Sequence, residues 1–391
     1  MRKDVDFTDK PRPSQLEPVP VTFIGHPYAP IGTGEQLRSH LRACCALGLH
    51  HRVFDVFRCA ARHDQAHVRL VDPLECTNLP PGIRVFHING DEVDTVLNAL
   101  SAQGDVFSDG YNIIVPAWEL PVYPTEWANK LKCFDEVWAL SSFIKDSLSA
   151  AGIKSHWVGQ AVEMESMPYL PRRYFSIRES AFVLLNFFDL SSHATRKNPH
   201  AVLKLFDCLR HAAPLSDVQL VLKVKDGEKA ADEWVRTIEA TPHVKIIAEP
   251  LDTWRIRSLI NACDCFVSLH RSEGFGRGLA EAMFMGKLAM GTGWSGNLDF
   301  MTADNSLLVN YELIAVRPGE YPHGQGQVWA DPDVDHAAHV LRPILRDPAC
   351  GRTIASRGQM AVSRTHSNRA VGLRILARLE SAAGTIVRTE R

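Results

Sequence analysis

Two carboxylates, Glu273 and Glu281, bracket the segment Glu273-Gly274-Phe275-Gly276-Arg277-Gly278-Leu279-Ala280-Glu281, with seven residues between them. The run before it, 265–269, is short and apolar, and the run from 276 to 285 has helical periodicity. The order is strand, acid, Gly-x-Gly, helix, acid. Glycines at 274 and 276 let the backbone approach a ligand closely, and the first-turn N–H groups are unpaired donors at the positive end of the helix dipole. An anion or a sugar hydroxyl suits such a place. A carboxylate accepts paired hydrogen bonds from the vicinal hydroxyls of ribose or a hexose, so both acids are candidates for holding a polyol. A lone glutamate on a helix usually faces solvent, and Gly-Phe-Gly alone is only a turn. The combination carries the argument.

Arg196 and Lys197 stand just before a helical stretch at 199–211. Two cations at a helix start suit an anionic ligand; the plain alternative is a solvated turn. No acidic metal-binding pair such as Asp-x-Asp stands near these residues, so no metal is expected. Gly32 and Gly34 precede another amphipathic helix, and Asp55 ends the next strand at a spacing suited to a ribose. Two features oppose a dinucleotide fingerprint. Leu37 takes the third glycine's place, and residues 26–31 separate the strand from the first glycine, whereas the pyrophosphate turn must follow its strand directly. The loop still offers backbone N–H groups to a phosphate across a cleft.

These residues need a scaffold that brings them together. Short apolar runs at 21–25, 53–57, 84–88, 112–115 and 136–140 alternate with helical stretches at 35–46, 92–100 and 142–151. The pattern repeats with runs at 182–187, 218–224, 244–248, 265–269 and 288–291, between helical stretches at 199–211, 230–240, 253–262 and 276–285. Nearly all-apolar strands alternating with helices imply parallel sheets covered on both faces. Residues 165–180 break the rhythm with Pro168, Pro171, Arg172 and Arg173 and mark a linker. The expected organisation is a lead-in at 1–19, an N-terminal domain at 20–165, a linker at 166–180, a C-terminal domain at 181–366, and a helix at 367–391 that packs back on the body. Ligands of such sheets bind outside the carboxyl ends of the strands, here in the cleft between the domains.

Bulk properties fit this organisation. At 391 residues the chain is long for one core. A formal net charge of −2 gives no footprint for nucleic acid. Residues 1–170 carry 15 Lys and Arg against 21 Asp and Glu, and the remainder 28 against 24, so an anionic ligand favours the second half. No run of apolar residues is long enough to span a bilayer, and the N-terminus lacks the apolar core of a signal peptide. The nine cysteines lack CxxC spacing, which fits reduced core thiols in a cytoplasmic protein and not a metal site.

The segment from Glu273 to Glu281 resembles the E-x7-E motif of retaining GT-B glycosyltransferases, those of glycosyltransferase family 4. Residues 189–199, ending Arg196-Lys197-Asn198-Pro199, resemble that family's basic loop after the first C-domain strand. Residues 294–301 resemble the segment after a later strand, and 135–143 a strand and helix of the N-terminal domain. The resemblance covers roughly residues 20–340 and is strongest over 180–312.

It implies an α/β protein of the GT-B type, two doubly wound Rossmann-like domains facing across a cleft. The implied donor is a nucleoside-diphosphate sugar, with no cofactor beyond it, and the implied acceptor is a glycan or glycolipid hydroxyl. Glu281 would bond the ribose, and Glu273 the donor sugar beside the N–H groups of Phe275 and Gly276. Arg196 and Lys197 would clamp the diphosphate. Transfer would retain the anomeric configuration without a metal. No basic amphipathic helix argues for membrane contact; peripheral contact at the inner face of a membrane is compatible with the resemblance.

Three places depart from the family. Where relatives carry a histidine facing the sugar, this chain has Trp118 and Glu119. Glu119 is a candidate to contact donor or acceptor, and Trp118 either stacks on a sugar ring or is buried. His87-Ile88-Asn89-Gly90-Asp91 is a second acceptor-side candidate. Arg277 replaces an apolar residue in the first helical turn, where a cation opposes the dipole, and it either meets a further anion or projects to solvent. His270 and Arg271 are candidates to face the nucleotide. Two rival readings remain: a nucleotide-sugar 2-epimerase of the same fold, with acid/base carboxylates from Glu119 or Asp91, and a non-catalytic subunit that binds a nucleotide sugar or glycan.

Overall fold

The computed structural model describes residues 19–59, 62–163, 165, 167–189, 193–212, 217–225, 238 and 241–389. The lead-in up to residue 18, nearly all of the expected helix at 230–240, residue 166 of the linker and residues 190–192 of the basic loop lie outside them.

Six strands form the first sheet: β1 (Val21–Gly25), β2 (Arg52–Asp55), β3 (Gly82–His87), β4 (Gly110–Ile114), β5 (Glu136–Ala139) and β6 (His156–Trp157). Six more form the second: β7 (Phe182–Asp189), β8 (Val218–Lys225), β9 (Val244–Ile247), β10 (Cys265–Ser268), β11 (Leu288–Thr292) and β12 (Leu307–Val309). Every pairing in both sheets is parallel, in the orders β2-β1-β3-β4-β5-β6 and β12-β11-β10-β7-β8-β9. These are the two parallel, helix-covered α/β sheets that the alternation of runs implies. The apolar strands are buried on both faces. Leu184 of β7 and Leu220, Leu222 and Val224 of β8 join one core cluster, while their neighbours Val183, Leu185 and Val221 join the cluster on the opposite face. Period-2 side-chain alternation is the reason.

Two helix starts beside the strands carry side-chain caps. Ser141 accepts from Ile144 N at the head of Ser142–Ala150, and Asp252 from Arg255 N at the head of Thr253–Ala262. Strand β2 is shorter than its apolar run because the carboxylate of Asp55 accepts from Cys59 N at 2.9 Å and turns the chain. Cys44 is buried but Cys45 is exposed, contrary to an all-core reading, since adjacent helical residues point about 100° apart. Among the described residues no helix is long and apolar enough to cross a membrane.

Beyond residue 309 the chain forms elements that periodicity did not reveal. An antiparallel hairpin pairs β13 (Tyr311–Ala315) with β14 (Val328–Pro332), and helices Val334–Arg346 and Pro348–His366 follow. The last helix, Asn368–Thr389, crosses back to the first domain, where Val371, Ile375, Leu379, Ala382 and Ala383 join the core cluster built on the first sheet.

Candidate functional site

The second sheet reverses its direction of growth between β7 and β10. Such a reversal leaves a crevice outside the carboxyl ends of the two strands. The segments following β7 and β10 deliver Arg196 and Lys197 from one side and Glu273 to Gly276 from the other. A backbone bond from Arg271 N to Arg196 O, 2.8 Å, ties them together.

Glu273 is held at both ends. Its N–H donates to Ser295 Oγ at 2.9 Å, and its carbonyl accepts from Gly296 N at 2.9 Å. One carboxylate oxygen takes the Lys197 ammonium, and the other lies 3.4 Å from Arg196 Nη1, which donates to the Ser272 carbonyl at 2.9 Å. Burial alone would raise this carboxyl, but Lys197 and Arg196 outweigh it and hold it down at about 2. Arg196 is itself buried. Burial would weaken its hold on a proton, and Glu119 and Glu273 reverse that, so it stays charged.

The glycines meet specific steric demands. Gly276 has φ +87 at the head of helix Arg277–Phe284, a left-handed conformation that a side chain resists. A Cβ on Gly274 would come within 2.8 Å of the Trp118 carbonyl of the first domain. The Ser141 hydroxyl of that domain donates to the Gly274 carbonyl. Phe275 is buried against Phe300 and His366, with ring centroids 5.3 Å from each, so its N–H is what it can offer a ligand.

Glu281 sits just over one turn along that helix, with Oε1 2.6 Å from Arg277 Nε. Arg277 neither projects to solvent nor waits for a further anion. Its Nη2 lies 2.8 Å from Glu35 Oε1, an ion-pair contact without hydrogen-bond alignment, and so it bridges carboxylates of both domains. Burial would lower the Arg277 pKa, but Glu35 and Glu281 raise it instead. Glu35 also takes Arg38 and Arg42. It stands in the first turn of helix Gly32–Ala46, whose N-cap has no side-chain partner, leaving the orphan N–H groups of that turn uncapped. Gly32 has open space where a Cβ would be, while Gly34 packs on the carbonyls of His26 and Ala29.

On the first-domain side, Glu119 comes within 3.8 Å of Arg196 Nη2. Its other oxygen accepts from the Tyr321 hydroxyl at 2.5 Å, a partner absent from the sequence reading. Trp118 is 3% exposed, and its Nε1 donates to the Val122 carbonyl at 2.9 Å, so it is a core residue and presents no face for a sugar. Asn89 Oδ1 accepts from Ala117 N at 3.0 Å and braces the same loop. His270 is an internal strut with Nε2 3.1 Å from Asn297 Oδ1. Arg271 turns to Asp331 and Glu320.

Asp331-Pro332-Asp333 is an Asp-x-Asp close in space to this loop, but Asp333 caps helix Val334–Arg346 and Asp331 pairs with Arg271. Among the described residues no group of three or more His, Cys, Asp or Glu side chains is placed to hold a metal ion.

Residues 187–311 match the family described as glycosyl transferases group 1. No protein of curated function matches the sequence significantly. Among solved structures, the chain is similar to HepE of Anabaena, determined in complex with UDP and glucose, at 16% identity, over 93% of this chain and 100% of that one, with a TM-score of 0.62. It is likewise similar to the sucrose-phosphate synthase of Thermosynechococcus elongatus, at 16% identity over 93% and 99% of the chains and a TM-score of 0.64. A glycosyltransferase of Rickettsia africae gives 12% identity over 94% and 99%, with a TM-score of 0.63. At such identities the likeness is one of fold, and that fold is GT-B.

Proposed function

We propose, from the match of residues 187–311 to the glycosyl transferases group 1 family, that this chain transfers a sugar from a nucleoside-diphosphate sugar to a hydroxyl of a glycan or glycolipid. Transfer retains the anomeric configuration and needs no metal ion. The observation that carries this reading is the Glu273 carboxylate with Arg196 and Lys197 on it, at the mouth of a glycine turn that opens into the helix of Glu281. UDP and UDP-glucose bound to HepE, a protein of the same fold, support a nucleotide-sugar donor.

In this reading Glu281 accepts from the ribose hydroxyls, and the backbone N–H groups of Phe275 and Gly276 face the donor. Sugar hydroxyls take the place of Lys197 on Glu273, and Lys197 turns to the diphosphate. Arg196, held charged, stabilises the diphosphate as it leaves. The acceptor hydroxyl approaches the same face of the sugar, and a leaving phosphate oxygen takes its proton. The chain needs no separate base for that step. Glu119 lies on the acceptor side of the cleft. Action in the cytoplasm, at or near the inner face of a membrane, fits such an acceptor.

A thermal-shift screen of UDP-, GDP- and TDP-sugars tests the donor, because a ligand of the folded state raises the melting temperature. A shift with at least one of them, and an anomeric proton in the product matching that of the donor by NMR, are expected. Inverted product would end the retaining mechanism. An epimerised sugar formed with no acceptor present would replace transfer by epimerisation.

A further inference from the structure

The hairpin β13–β14 begins at Tyr311, where the family match ends, and it belongs by packing to the other domain. Val316 and Trp329, at the end where its connecting loop begins, are buried in the core cluster of the first sheet. Gln327 grips the backbone of Val122 twice, with Oε1 accepting from Val122 N at 2.9 Å and Nε2 donating to Val122 O at 2.8 Å. These holds fix the loop between the strands, which carries Tyr321. The Tyr321 ring lies edge-on to Trp118 at 5.6 Å and to His193 at 4.9 Å, with the Arg196 guanidinium 5.9 Å from its centre. Its hydroxyl donates to one oxygen of Glu119, whose other oxygen faces Arg196 at 3.8 Å. Arg196 Nε is buried without a hydrogen-bond partner. The guanidinium therefore depends for its orientation on the Ser272 carbonyl, Glu273 and this Glu119–Tyr321 pair.

We infer that Tyr321 is a positioning residue for transfer: through Glu119 it aims the Arg196 guanidinium at the departing diphosphate, so that the hairpin of one domain completes the charge pattern only when seated on the other. This rests on the donor reading above. Burial, reinforced by Glu119, keeps the phenol protonated through the physiological range, so the hydroxyl acts as a fixed donor and takes no part in proton transfer. A hydrogen bond to a charged group is the strong kind, and its loss displaces a neighbour that nothing else restrains on that side.

The test is Tyr321→Phe, which keeps the ring and removes only the hydroxyl, beside Glu119→Gln and the double variant. The readouts are calorimetric affinity for UDP, GDP and TDP and steady-state release of the nucleotide from the corresponding glucose donors, with water as acceptor. Tyr321→Phe is expected to lower kcat by about ten- to a hundredfold, leaving nucleotide affinity and donor KM within about threefold. The double variant is expected to be no slower than Glu119→Gln, since the two act as one unit. Unchanged kcat in Tyr321→Phe, parallel loss of affinity and rate, or additive losses in the double variant would each overturn the positioning role. Wild-type protein that binds none of the three nucleotides would instead overturn the donor reading, and the positioning role with it.

Discussion

The two acids of the motif, seven residues apart, live under different electrostatic regimes. Glu273 is neutralised within its own domain by Lys197 and Arg196. Glu281 is paired with Arg277, which also bridges to Glu35 of the other domain. The first pairing is built by two loops at a strand reversal of a single domain, with Glu119 of the other domain facing Arg196 from outside it. The second is shared across the cleft and belongs to the assembled molecule. One motif thus supplies both a preset charge and a charge conditional on domain apposition.

The largest effect is expected at the preset end. Arg196→Ala removes a buried cation facing Glu273 and Glu119 and should lower kcat by about 10²–10³-fold, the usual scale for losing one transition-state charge donor. If Arg277→Ala costs more than Arg196→Ala in kcat, the comparison is inverted. The second probe is acid stability. Glu273 titrates near 2 against an ordinary 4.5, so the folded state holds its charged form. The resulting stabilisation is fully present above pH 4.5 and is lost as pH falls toward 2. Its size is on the order of 3 kcal/mol. The gap between the urea midpoints of wild type and Glu273→Gln should narrow from pH 6 down to pH 3; a constant gap would mean the cations do not hold this carboxyl down.

Next in size, Glu281→Ala should weaken nucleotide binding by about 1.5–3 kcal/mol in calorimetry; unchanged affinity would remove Glu281 from the donor site. Glu35→Gln tests the conditional end more gently. It breaks a partly exposed link and should change nucleotide affinity by less than about fivefold, with weaker salt dependence than wild type. The smallest expected effect is none: EDTA should leave turnover intact. Activity abolished by EDTA and restored by Mg²⁺ would overturn the metal-free mechanism.

Five strands of each sheet and the E-x7-E turn were legible in the sequence because their signals are local, while the edge strands β6 and β12, two and three residues long, are too short to show a period. An apolar run, a pair of glycines and a helical period lie within one stretch of chain, and packing only confirms what each stretch prefers. The pairing of Arg277 with Glu35 was not legible, because it joins helices that meet only after both domains are built. The dipole argument correctly marked Arg277 as unusual and could not name its partner. Tyr321 was hidden for a different reason. The strands Tyr311–Ala315 and Val328–Pro332 are five residues each and are joined by a long connection without a two-residue turn signal. Trp118 shows the reverse case. Its residue type suits sugar stacking, but Tyr123 and Trp127 enclose it, which only the fold could reveal.

The chain passes between the domains after Ala161, reaches back to the first core through Val316 and Trp329 of the hairpin, and returns to it once more as it enters the last helix at Asn368. The first and last of these passages are bonded to each other, Val162 N to His366 O at 3.0 Å and Asn368 N to Glu163 Oε2 at 2.7 Å. Side by side, they form one seam between the domains, and the hairpin buried through Val316 and Trp329 forms another. A joint fastened at two seams behaves less like a hinge and more like a clasp: the cleft keeps its width, and the groups facing each other across it keep their register.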